Sequence, residues 1–413
     1  MTTATTDKPM VTGADRIELF DVLRGVAILG IFAVNLIGFA QPMAAYLNPT
    51  VYGSLDGLNG WAWGIVHVFF DTKFITIFSL LFGAGLVVAG ERAQAAGRSA
   101  WGRHFRRSAI LLAVGLTHAY LVWSGDILTF YAVLGFFLFV LRRAGPIVQT
   151  VLAFLLFAVV VLINGSGQAF IGFFPEEAIA ELRTTWEPAP EKIAAQLTAY
   201  QGGWMEQQPV RVADTLSMHT QAFCFILLWR VSSMMLLGMA LYKWGVLTGR
   251  RSPRFYAILA VVGLSLGLSL TAYGAWWNWS GDFALERSFF GGSLFNYVGS
   301  LLTALGYIGV IGAVVSAGVW EALRKRFVAV GRMSFTFYLG QTLIATTLFY
   351  GHGFGLFGEV SRTWLLVIFL AVTALQLLVA PWWLRRFRQG PLEYLLRVAV
   401  YGRLTPFRRE NAA

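Results

Sequence analysis

The chain has little of what a water-soluble protein carries. Only 13% of its 413 residues are charged, against about 25% in a soluble globular domain. A single cysteine, Cys224, excludes an internal disulfide and a cysteine zinc cluster. None of the five histidines lies four residues from another, so the helical pair of a metal site is missing too. Acidic residues are scarce, 21 against 32 lysines and arginines, for a net charge of +11. That basicity does not indicate nucleic acid, because the arginines stand in short clusters between apolar runs. What is abundant is apolar: 57% of residues are hydrophobic and the mean hydropathy is +0.64. Lipid is the expected solvent. A disordered chain, a collagen, a coiled coil and a secreted disulfide scaffold are excluded.

A membrane span needs about 20 apolar residues. Ten runs qualify: 22–40, 72–90, 106–123, 127–142, 147–164, 221–243, 255–276, 294–318, 331–350 and 363–384. Basic residues follow every second one. Arg92, Arg98, Arg103, Arg106 and Arg107 follow the second, Arg142 and Arg143 the fourth, and Lys243, Arg250, Arg251 and Arg254 the sixth. Arg324, Lys325, Arg326 and Arg332 follow the eighth, and seven arginines close the chain. This alternation predicts an all-α, polytopic helical membrane protein of about ten transmembrane helices with both termini cytoplasmic. The polar tail 1–18 does not read as a signal peptide. The run after it carries Asp21, Arg24 and Asn35 and reads as an uncleaved first span. Residues 19–385 then form one transmembrane domain with an outer loop, 165–219, that holds helix-like stretches at 175–185 and 191–200. A loop of that length is either a lid or a surface excursion. Residues 386–413 form a cytoplasmic tail, amphipathic over 387–402. The glycines at 83, 85, 299 and 306 read as helix-packing positions.

Polar groups inside lipid cost several kcal/mol unless compensated, so they point to function. Asp21 and Arg24, three apart on a helix, share a face. They form either an interfacial ion pair or a grip on an anionic group such as phosphate. Asn35 lies about 16 Å deeper. Toward the outer side, Lys73, His118 and Asp126 fall at one level, with Tyr131 following. Either they pin three helices by hydrogen bonds, or His118 is a general base oriented by Asp126, with Lys73 stabilising an oxyanion. Arg230 and Gln341, both mid-span, suggest a polar internal cavity. His67 reads as interfacial and His104 as solvated, with His219 and His352 at outer span ends. No metal site is expected.

Several motifs resemble the YeiB-type integral membrane proteins. They are F-D-V-L-R-G-V-A-I-L-G-I-F-A-V-N-L at 20–36, A-A-Y-L-N-P at 44–49, K-F-I-T-I-F-S-L-L-F-G-A-G-L at 73–86 and H-A-Y-L-V-W-S-G-D-I-L at 118–128. Further on come L-L-G-M-A-L at 236–241, V-G-R-M-S-F-T-F-Y-L-G-Q-T at 330–342 and R-Q-G-P-L-E-Y-L-L-R at 388–397. The matches run the length of the chain and are weakest in the outer loop. No reaction is established for that family. It is in turn distantly similar to transmembrane acyltransferases of the acyltransferase-3 and heparan-glucosaminide N-acetyltransferase types, through D-x-x-R-G at 21–25.

That resemblance implies a bacterial inner-membrane enzyme that passes an acyl group from cytoplasmic acyl-CoA to an extracytoplasmic acceptor. Arg24, with Asp21 and Asn35, would lie toward the CoA-facing mouth. The acyltransferase-3 pattern has a histidine eleven residues after this arginine, where Asn35 stands, and the glucosaminide type keeps one where residues 36–60 have none. The base role then falls to His118. Acyl-CoA is a co-substrate in this reading, and no tightly bound cofactor is expected. Two other readings remain open: a transporter of a small amphiphile, favoured by Arg230 and Gln341, and a non-catalytic membrane protein. The bilayer is the one partner the sequence specifies; nucleic acid is not a partner, and the oligomeric state is not encoded legibly.

Overall fold

The computed structural model describes residues 17–97 and 99–409. Nearly all of the polar tail 1–18, and Arg98, lie outside the described residues. Helices dominate, and among the described residues the only β pairing is an isolated bridge between Phe387 and Arg408. α1 (Glu18–Ala40) leads to two short helices at its far end, α2 (Ala44–Leu47) and α3 (Leu58–Ile65). α4 (Lys73–Ala95) returns, α5 (Ala100–Leu121) and α6 (Leu128–Leu138) form a hairpin, and α7 (Pro146–Phe170) crosses again. Three helices then cover the far end: α8 (Glu176–Trp186), α9 (Pro190–Gln201) and α10 (Trp204–Ser217). α11 (Leu228–Lys243), α12 (Pro253–Trp279), the single turn α13 (Leu285–Arg287) and α14 (Ser293–Ser316) follow. The chain closes with α15 (Glu321–Arg332), α16 (Ser334–Phe349), α17 (Arg362–Arg386) and α18 (Pro391–Tyr401).

Local sequence explains many of these boundaries. Prolines 146, 190, 253 and 391 open α7, α9, α12 and α18, where a missing N–H costs nothing and φ is already helical. Ser252 caps α12 by accepting the Phe255 N–H at 3.2 Å. Glu393 reaches from α18 to cap α16. Its Oε1 accepts the Phe335 and Thr336 N–H groups at 2.7 and 3.1 Å, and its Oε2 accepts the Thr336 hydroxyl at 2.5 Å. A carboxylate there also suits the positive end of the helix dipole.

A helix occupies each of the ten expected runs. Among the described residues, seven helical segments are long and apolar enough to cross a membrane: Glu18–Ala40, Leu58–Ala95, Pro146–Phe173, Trp204–Lys243, Pro253–Trp279, Leu285–Ser316 and Arg362–Arg386. α5 is 22 residues long but carries Arg103, His104, Arg106 and Arg107 in its first half. α6 and α16 have only 11 and 16 residues. α1 is the axis of the bundle: 72% of its apolar window is buried, against 22% in α7 and α12 and 28% in α17, which turn outward.

Close crossings explain part of the glycine usage. On α4, a Cβ at Gly83 would sit 1.9 Å from the Met235 carbonyl oxygen of α11, and one at Gly238 equally near the Leu80 oxygen. Gly25 and Gly331 lock α1 to α15 in the same way, at 2.1 Å from Phe327 O and 1.9 Å from Asp21 O. Gly85, expected to pack, faces open space.

Three expectations change. The run 331–350 is not one helix, because the chain turns at Met333 between α15 and α16. The end of the outer segment is helix rather than loop: α10 runs through the π-wound stretch Met218–Leu227 directly into α11. His104 is buried rather than solvated. Its ring stacks on Phe139 at 3.8 Å and its Nε2 lies 3.0 Å from the Gly135 carbonyl, which fastens α5 to α6.

Candidate functional site

The tight α5–α6 turn holds the candidate centre. Gly125 fits under the Trp123 ring, and Asp126 is fully buried at the start of α6, where its Oδ2 accepts the Thr129 N–H at 2.8 Å. That bond caps α6 and fixes the carboxylate plane. The other oxygen, Oδ1, lies 2.9 Å from His118 Nδ1 on α5. His118 Nε2 lies 3.0 Å from the Thr342 hydroxyl on α16. Tyr338, one turn before Thr342, places its hydroxyl 3.3 Å from Asp126 Oδ1 and 3.2 Å from the Ile127 N–H it accepts. His118, Asp126, Tyr338 and Thr342 are all at most 4% exposed.

The chemistry follows from donor and acceptor types. In the tautomer where His118 Nδ1 donates to the Asp126 carboxylate, Nε2 is left to accept from the Thr342 O–H. The result is a carboxylate–imidazole–hydroxyl chain in a water-poor interior. The same shell holds a spare donor. The Trp123 indole N–H is buried without a partner among the described residues, and its ring lies 6.2 Å from the imidazole.

Lys73 does not join this centre. It is fully buried, and its Nζ donates to the His67 carbonyl at 2.7 Å and to Asn296 Oδ1 at 2.6 Å. Asn296 Nδ2 donates in turn to Asp71 Oδ2 at 2.7 Å, and His67 Nδ1 stands 3.4 Å from the same oxygen. So Asp71, not Asp126, is the carboxylate Lys73 serves, through an amide bridge on α14. Thr72 between them has φ +62°, a left-handed conformation costly for a β-branched residue. That kink carries Lys73 to one side of the chain path. Arg230 belongs to the same network. It donates to the Thr76 and Ser300 hydroxyls at 2.8 and 2.7 Å and to the Tyr297 carbonyl at 3.1 Å. Tyr131 bonds Ser79 at 2.6 Å and lies within electrostatic reach of both Arg230 and Tyr338, between the two clusters.

Gln341 bonds a different set of partners from Arg230. It donates to Gln376 Oε1 at 3.0 Å and to the Ile28 carbonyl at 3.3 Å, tying α16 to α17 and α1. At the Glu18 end of α1, Arg24 stands 3.7 Å from Asp21, and Arg107 lies within electrostatic reach of Arg24. Asn35 is half-buried in the second half of α1. Among the described residues no three His, Cys, Asp or Glu side chains gather as a metal site.

The far end is closed over the centre. The carbonyl of Leu121, at the end of α5, accepts from the Trp204 indole at 2.8 Å and from Arg211 at 3.2 Å. Thr215 donates to the Ala119 carbonyl at 3.0 Å. Burial, helped by the Arg211 charge, holds the His352 imidazole below its ordinary pKa. Its Nδ1 lies 3.3 Å from the Gln207 side-chain amide.

Sequence reasoning singled out His118, Asp126 and Arg24, and did not single out as site residues Thr342 and Trp123 beside His118, Asn296 on Lys73, or Arg107 near Arg24. One signal was available, since Tyr338 and Thr342 are four apart and share a helix face with polar atoms.

Fold and site together define a multi-helix membrane protein with an imidazole-centred polar site enclosed in its bundle. Residues 241–403 match the family model described as "Protein of unknown function (DUF418)". The "Uncharacterized protein YeiB" of Escherichia coli (strain K12) is 33% identical over 390 residues, 93% of this chain and 96% of that protein. The "Uncharacterized protein YxaH" of Bacillus subtilis (strain 168) is 30% identical over 413 residues, 95% of this chain and 96% of its own. A third relative, from Bacillus acidopullulyticus, is described as an "Uncharacterized 39.9 kDa protein in amylase 3'region" and is 25% identical over 402 residues, 95% of this chain and 96% of its own. The chain belongs to the YeiB family. No solved structure matches it.

Proposed function

We propose that the protein is a transmembrane acyltransferase of the bacterial inner membrane. It crosses the bilayer about ten times with both termini cytoplasmic, and moves an acyl group from cytoplasmic acyl-CoA to an extracytoplasmic hydroxyl or amine. The observation that carries this reading is the Asp126–His118–Thr342 chain, with steps of 2.9 and 3.0 Å. An imidazole oriented by a buried carboxylate and aimed at a hydroxyl is equipped to take a proton from an attacking O–H or N–H. Asp126 fixes the tautomer. The unpaired Trp123 N–H takes the oxyanion role that the sequence assigned to Lys73. Arg24 and Arg107 at the Glu18 end form the positive mouth for the donor's phosphates. Lys73, Arg230 and Tyr131 hold the neighbouring helices.

The test is thermal unfolding of the purified protein in detergent with CoA and acetyl-CoA. A ligand bound only by the folded state stabilises it by about 2.7 kcal/mol at a hundred times its dissociation constant. The expected result is an upward shift that Arg24→Ala abolishes. No shift at millimolar CoA would remove the donor from the proposal.

A further inference from the structure

We propose that Thr342 is the nucleophile that carries the acyl group between donor and acceptor as a transient threonyl ester. This rests on the acyl-transfer reading of the same site and adds a covalent step to it. The hydroxyl on the imidazole belongs to the protein itself: Thr342 Oγ1 sits 3.0 Å from His118 Nε2, in the position of an attacking oxygen. A nucleophile within hydrogen-bond reach of a base, with that base oriented by a third group, is the arrangement that covalent catalysis requires. Among the described residues Thr342 Oγ1 has one other hydrogen-bond partner, the Tyr338 carbonyl at 3.4 Å, a longer and weaker bond than the one to His118.

Depth makes the relay useful. Gln341, the preceding residue, bonds the Ile28 carbonyl. Ile28 is four residues, about 6 Å, beyond Arg24 along α1. Thr342, 3.0 Å from His118, therefore lies inward of the outer closure formed by Trp204, Arg211 and Thr215, on its donor side. CoA is large and anionic and stays on its own side. An acyl group parked on Thr342 lets the thiol leave before the acceptor arrives, so the two substrates never need to meet.

The steps balance. Thr342 Oγ gives its proton to His118 Nε2 and attacks the thioester carbonyl. The C–O bond forms, the C–S bond breaks, and the imidazolium returns the proton to the CoA sulfur. In the second half an acceptor O–H or N–H gives its proton to Nε2 and attacks the ester carbonyl. The Thr342 oxygen leaves and takes that proton back. Nothing is oxidised or reduced.

The experiment incubates the purified full-length protein with acetyl-CoA and no acceptor, counts released CoA thiol, and maps adducts by peptide mass spectrometry. The expected result is release of one thiol per protein and one acetyl mass on Thr342. Thr342→Ser should keep the label on residue 342. Thr342→Val, nearly isosteric, should lose at least about 10²-fold of the thiol burst. Thiol release by Thr342→Val at the wild-type rate, or an acetyl group mapped to another residue, overturns the relay while leaving His118 as a base acting on the acceptor directly. Unimpaired release by His118→Gln overturns the acyl-transfer reading together with the relay.

Discussion

Asp126→Asn changes one atom and should separate orientation from packing. In the native chain Asp126 Oδ2 is committed to the Thr129 N–H at 2.8 Å. An asparagine that keeps its carbonyl oxygen on that amide must turn its NH2 toward His118 Nδ1. Two donors cannot face each other at 2.9 Å, so the imidazole adopts the other tautomer. Nδ1 then accepts and Nε2 carries the hydrogen, donating to Thr342 where it previously accepted. The base is lost although every heavy atom stays in place. In carboxylate–histidine–hydroxyl triads this error costs about 10⁴ in kcat, or about 5 kcal/mol of barrier. Stability should fall by only about 1.5–3 kcal/mol for the lost charge-assisted bond. The assay is CoA thiol release from acetyl-CoA beside a thermal melt of the same sample. A folded Asp126→Asn variant that releases thiol within tenfold of wild type would refute the tautomer argument.

Other outcomes follow from the same geometry. Trp123→Phe keeps an aromatic ring facing Phe39, 3.9 Å from Trp123 in the native chain, but removes the unpaired N–H, so thiol release should drop about 10²-fold while the melt falls modestly from the smaller ring. Lys73→Met strands Asp71 and Asn296 and should lower the melting temperature clearly, yet leave thiol release within a few-fold, since Lys73 bonds the His67 carbonyl and Asn296 of the second network. Gly331→Leu drives a side chain into the Asp21 carbonyl and should weaken folding and CoA stabilisation together. Glu393→Ala uncaps α16 and should cost about 1–3 kcal/mol, read as a lower melting temperature.

The legible part of the fold was set by lipid. Apolar length and basic clusters located the helices, because in hydrocarbon the backbone must satisfy itself within each segment. Short helices escaped that logic. Nothing in the hydropathy of 331–350 marks the turn at Met333, which is fixed by the α1–α15 crossing at Gly25 and Gly331 and by a cap from Glu393, some 60 residues away. The site was half legible for a similar reason. His118 and Asp126 are eight residues apart across a turn, so their meeting was a local inference. Lys73 shared their expected depth, but depth leaves the azimuth open, and the left-handed Thr72 turns it toward α14. Thr342 lies 224 residues from His118, and its role depends on which face α16 presents.

The most direct measurement is acyl transfer by the His118→Gln variant against wild type, each purified in full length and given acetyl-CoA. The account predicts stoichiometric thiol release by wild type and none by the variant at an unchanged melting temperature. Equal release by both proteins, or none by wild type, would contradict it.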